Sequence, residues 1–163
     1  MSEKNEAMLR RNQKNYAGRN ILSGFLFGLG LIAFIDEVVF HQLLHWHHFY
    51  DLSTTTAGLI SDGFFHAFSW FATVAALFMV ADLRRRQSFW LRRWIGGTLT
   101  GAGFFQLYDG LVQHKWMGIH QIRYGVDILP YDLVWNISAL VILIAGIVVW
   151  RQTSQMKKQK ETV

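Results

Sequence analysis

A long apolar run that begins near Ile21 ends in FIDEVVFHQLLHWHH, residues 34–48, and this join constrains the fold more than any other feature of the chain. Such a run can cross a bilayer, which takes about 20 residues. Each ionisable group inside a span costs about 2.5–3.5 kcal/mol on insertion scales. The stretch nevertheless holds four of the seven histidines and two adjacent carboxylates. A chain that carries Asp36, Glu37, His41 and His45 there must offset that cost, and a shared metal ion is the leading reading.

Charge elsewhere is sparse and segregated. Charged residues make up 17% of the 163-residue chain, and 52% is hydrophobic; soluble proteins carry about 25% charge. Lys4, Arg10, Arg11, Lys14 and Arg19 lie in the first segment. Arg84, Arg85, Arg86, Arg92 and Arg93 lie near the middle, and Lys157, Lys158 and Lys160 lie at the end. The remaining connections hold only Lys115 and Arg123. The net charge of +5 is therefore a topology signal, and no nucleic-acid partner is expected. There is no cysteine, which removes disulfides, thiolate zinc sites, iron–sulfur clusters and thiol catalysis. No cleavable signal peptide is expected, because residues 1–19 are polar and the first apolar run is too long.

These features predict one all-α integral membrane domain, residues 20–151, between basic cytoplasmic tails at 1–19 and 152–163. Four transmembrane helices are expected over about residues 20–45, 57–81, 90–114 and 131–150. They form a bundle in the cytoplasmic membrane with both termini inside. Trp90, Trp94 and Trp150 then mark the inner interface, and Trp46, Tyr50, Trp116, Tyr124 and Tyr131 the outer one. The histidines fall in the outer part.

The chain also repeats itself. A shift of 73 residues sets Gly24, Gly28 and Gly30 on Gly97, Gly101 and Gly103, Asp36 on Asp109, His41 on His114, and His47 on His120. A shift of 70 sets Asp62 on Asp132 and His66 on Asn136. The expectation is two duplicated helical hairpins related by a pseudo-twofold axis along the membrane normal. The paired glycines predict a close crossing of the first and third helices.

Helical spacing selects the candidate ligands. Glu37, His41 and His45 stack on one face at intervals of four. Asp62 and His66, and Asp132 and Asn136, are also four apart. Asp36 and His41 are five apart, as are Asp109 and His114, which is about 140° on a regular helix. Either those helices carry π-bulges, or an aspartate orients a histidine of a neighbouring helix; the second is the preferred reading for at least one of the pair. The metal set read this way is His41, His45, His66, His114, His120, Asp36, Asp62, Asp109 and Asp132. His47 and His48 rank lower because they lie at the interface. Imidazole with carboxylate suits zinc, iron, copper or manganese, in one site or as a dinuclear centre.

HQLLHWHH, DGFFHAFSW and FFQLYDGLVQHKW-x-GIHQ resemble the bacterial and archaeal membrane-protein family catalogued as domain of unknown function 2243. The resemblance covers nearly all of the chain between its tails. It implies a four-span membrane protein with a fixed His/Asp set, and it implies no reaction. The family usually carries glycine where this chain has Glu37, which counts against Glu37 as a ligand.

Three functional readings stay open at this point. The first is a membrane metalloprotein with one or two transition-metal ions on the extracytoplasmic side, with or without redox or hydrolytic catalysis. The second is a haem b electron-transfer protein or a respiratory-oxidase assembly factor. The third is a metal store, sensor or transporter. The partners expected are the lipid bilayer and either a homodimer mate or another membrane protein.

Overall fold

The computed structural model describes residues 3–159, and every regular element among them is helical. Helix α1 is Glu3–Asn15, α2 is Ala17–Asp36, α3 is Thr55–Arg85, α4 is Leu91–Tyr108 and α5 is Leu129–Gln159. Helix α2 continues without a break into a π-wound turn, Glu37–Leu43, and α4 into another, Asp109–Met117. Three segments are long and apolar enough to cross a membrane: Ala17–Leu43, Thr55–Arg85 and Leu129–Ser154. Helix α4 is not among them. It begins with Arg92 and Arg93 and is rich in glycine and threonine, which lowers its apolar character.

The small residues of α4 explain its place. Helices α2 and α4 pack on one another, α3 lies against α2, and α5 lies against α4. A Cβ on Gly28 would overlap the carbonyl of Thr98, and one on Gly101 would overlap that of Phe25. Contact at this range requires residues without side chains on both helices. Gly30 lies on Ser69 and Thr73 of α3, and Gly103 on Ala139 and Leu143 of α5. Each of these contacts shifted by 73 or 70 residues lands on the other.

At the arginine-rich end the two halves are tied by polar groups. Buried Asn20 donates to the Ser88 carbonyl at 3.0 Å and accepts from the Trp90 amide at 2.7 Å. Asp82 pairs with Arg19, Arg85 and Arg86. The first segment, read as a solvated tail, is largely helix α1, and Gln13 reaches the Phe89 carbonyl. Helix α5 runs past Arg151, with Thr153 buried; Lys160 lies outside the described residues.

At the opposite end two connections fold inward. Thr54 caps α3 by accepting from the Ala57 amide. Gly118, at φ 61°, ends the π-wound turn of α4 in the left-handed conformation that glycine adopts freely. The Asp51 amide donates to the Ile119 carbonyl at 3.0 Å, which joins the two connections.

Candidate metal centre

The π winding sets the site geometry. Five-residue spacing splays two side chains on a regular helix, whereas i→i+5 hydrogen bonding brings them to one side. Asp109 Oδ2 thus stands 3.0 Å from His114 Nε2, and Asp36 Oδ2 3.8 Å from His41 Nε2. The folded connections add His47 and His120. Their rings lie face to face, with centroids 4.7 Å apart. His41 meets His47 at 4.5 Å, and His114 meets His120 at 4.6 Å. Four imidazoles therefore form one buried cluster, floored by Asp36 and Asp109.

The hydrogen bonds orient these rings. His47 Nδ1 donates to the Ile122 carbonyl, and His120 Nδ1 to the Phe49 carbonyl, each at 2.9 Å. His41 Nδ1 donates to Asp62 Oδ1 at 3.0 Å. The Asp62 oxygens also accept from the Phe49 amide at 2.7 Å and from His48 Nδ1 at 2.6 Å. The Nε2 atoms of His41, His47, His114 and His120 are buried without a hydrogen-bond partner, as is Asp109 Oδ2. Asp109 and His114 are close, yet not in hydrogen-bonding geometry. A histidine that donates one ring N–H to a carbonyl or carboxylate and points the bare nitrogen inward has the arrangement of a metal ligand. Potential ligand atoms lie within 4.8 Å of one another in three groups: His47, His114 and His120; Asp36, His41 and His47; and Glu37, His41 and Asp62.

His47 lies outside the membrane-spanning helices, and its pKa is pushed down to about 2 by burial and then by the facing imidazoles of His41, His120 and His114. It stays neutral, the form that binds metal.

The structure thus brings together Asp36, His41, Asp62, Asp109, His114 and His120 from the sequence-derived set. It leaves three members of that set apart. His45 is exposed, at φ 49° where the helix unwinds. His66 is exposed on α3 beside the Phe34 ring. Asp132 is ion-paired with Lys115. The turning-out of His66 has a packing reason. Its counterpart by sequence shift, Asn136, packs against Gly110, whereas the position that corresponds to Gly110 is Glu37. The Glu37 side chain fills that space, with Oε2 3.0 Å from His41 Nδ1 and Oε1 accepting from Gln42. Glu37, discounted in the sequence reading, therefore lies within the site. So does His47, which was ranked as an interface residue and is only 4% exposed. Its match to His120 in the repeat was the signal that could have raised its rank.

The family model described as predicted membrane protein (DUF2243) matches residues 23–153. No curated protein and no solved structure matches the chain. The chain belongs to this family, and it is a membrane protein with His/Asp groups that could hold a metal.

Proposed function

We propose that this member of the DUF2243 membrane-protein family holds one or two transition-metal ions between His41, His47, His114 and His120, with Asp36 and Asp109 as carboxylate ligands. The observation that carries the reading is the set of four buried Nε2 atoms that make no hydrogen bond, three of them on rings pinned through Nδ1 and three of them 3.0–3.8 Å from an Asp36 or Asp109 oxygen. Asp62 then orients His41 and His48 without binding the ion. The donor set suits zinc, iron or copper.

The chain reads as four spans, with α4 as the less apolar central one, and with the cluster on the extracytoplasmic side. The reciprocal glycine contacts and the reciprocal His47 and His120 bonds support two duplicated hairpins about an axis along the membrane normal. Haem fits less well, because imidazole rings already 4.5–6.1 Å apart leave no gap for a macrocycle. Transport is also less supported. Ser23, Thr98 and Thr100 bond carbonyls of their own helices and offer no polar path toward the arginine-rich end.

Elemental analysis of detergent-purified protein tests the reading. One or two equivalents of a transition metal are expected, lost in His47→Ala and His120→Ala and retained in His45→Ala and His66→Ala. Equal metal content in all five proteins, or none in the wild type after metal loading, overturns it.

A further inference from the structure

Beside the imidazole cluster, on the flank between α3 and α4, lies a cavity of about 400 Å³, within the range of small-molecule pockets. Its wall is mostly aromatic, with Phe49, Phe65, Phe104, Phe105 and Tyr108. Phe65 stacks on Phe49 at 4.9 Å and on Phe105 at 5.8 Å. Phe104 and Tyr108 are exposed on α4, and on the four-span reading proposed above the cavity opens toward lipid. Gln113 is a polar member of the wall and is itself buried. The inner wall is one ring thick: Phe65 lies 5.5 Å from His41, and Phe49 lies 6.1 Å from His120.

The sequence repeat sharpens this. Shifts of 73 and 70 residues set Gln113 on Phe40 and Phe65 on Trp135. In the other half those two rings pack edge to face at 5.6 Å. Gln106 there binds the Trp135 carbonyl and the Ser138 hydroxyl. The chain has closed one groove and kept its counterpart open, with an amide where the closed side has a phenyl ring.

We propose that this cavity binds a lipid-soluble quinone or quinol. A flat ring stacks among the aromatic side chains, a ring oxygen pairs with the Gln113 amide, and the alkyl tail leaves between α3 and α4 into the bilayer. A plain acyl chain would leave a buried amide unused, which membranes penalise. The proposal stands on the cavity and the repeat and does not depend on the metal assignment.

The test is titration of a decyl-substituted benzoquinone into the protein in lipid nanodiscs, followed calorimetrically, with metal content measured separately on the same samples. Saturable binding is expected in the wild type. Gln113→Phe and Phe65→Trp import the closed side's residues and should weaken it at least tenfold with helical circular dichroism unchanged. Decanol should compete poorly. Absence of saturable binding, equal affinity in both variants when they are folded, or equal competition by decanol overturns the quinone assignment. Loss of metal without loss of quinone binding, or the reverse, separates failure of one proposal from failure of the other.

Discussion

His47 and His120 show how a fold can fix an imidazole for the ligand role proposed for it. Each commits Nδ1–H to a carbonyl of the opposite connection, which fixes the tautomer and leaves Nε2 as a lone-pair donor. Burial has a consequence for pH. The His47 pKa falls from 6.5 to about 2 in the folded protein. The unfolded chain therefore binds the extra proton first, and the stability this residue contributes is present above pH 6.5 and is lost as pH falls toward 2. Metal-free protein should melt at progressively lower temperatures as pH falls below 6.5. His47→Gln should flatten that slope. Thermal melts by circular dichroism across pH 4–8 check this, and a pH-independent melt in the wild type would contradict it.

At the scale of elements, the π-wound turns and the glycine crossing do different jobs. The turns aim Asp109 and His114 to one side, which an α-helix of the same sequence would splay. The crossing holds α2 and α4 at a separation set by backbone contact. Gly28→Ala and Gly101→Ala push a methyl into a carbonyl that belongs to a helix and cannot rotate away. Overpacking of this kind costs about 1–3 kcal/mol, and the two substitutions should cost similar amounts because the contacts are reciprocal. Gly63, where an added Cβ meets nothing within 4 Å, is the control. Gly63→Ala should be neutral or slightly stabilising, because alanine loses less backbone entropy than glycine in a helix. Denaturation in mixed micelles measures all three, and a Gly28→Ala protein as stable as Gly63→Ala would remove the crossing argument.

For the whole molecule, the proposed orientation is open to a clean test because the chain has no cysteine. Ser53 is exposed in the connection before α3, and Gln87 is exposed in the arginine-rich one. In intact cells, Ser53→Cys should react with a membrane-impermeant maleimide, and Gln87→Cys should react only after permeabilisation. The reverse pattern would place the His/Asp cluster on the cytoplasmic side. Labelling of both in intact cells would contradict the four-span reading, since the single crossing of α3 must set the two positions on opposite sides.

Much of this protein was legible in the chain, for identifiable physical reasons. Apolar run length and charge segregation set an all-helical membrane protein, because lipid admits few ways to satisfy a backbone. The five-residue Asp36–His41 and Asp109–His114 spacings left irregular winding as the less preferred of two readings, and the structure shows it in both places. Tertiary structure alone decided which polar groups meet. His47 lies beyond the helix that a periodicity argument covers, and only the inward folding of its connection buries it. His66 shares a helix face with Asp62 at a favourable spacing, yet it is exposed beside Phe34. Asp62, read as a ligand, accepts hydrogen bonds from three other residues that the sequence could not place beside it. Spacing along a chain reports which side chains share a face. Which of those faces converge depends on packing between segments, and that information is not local to either one.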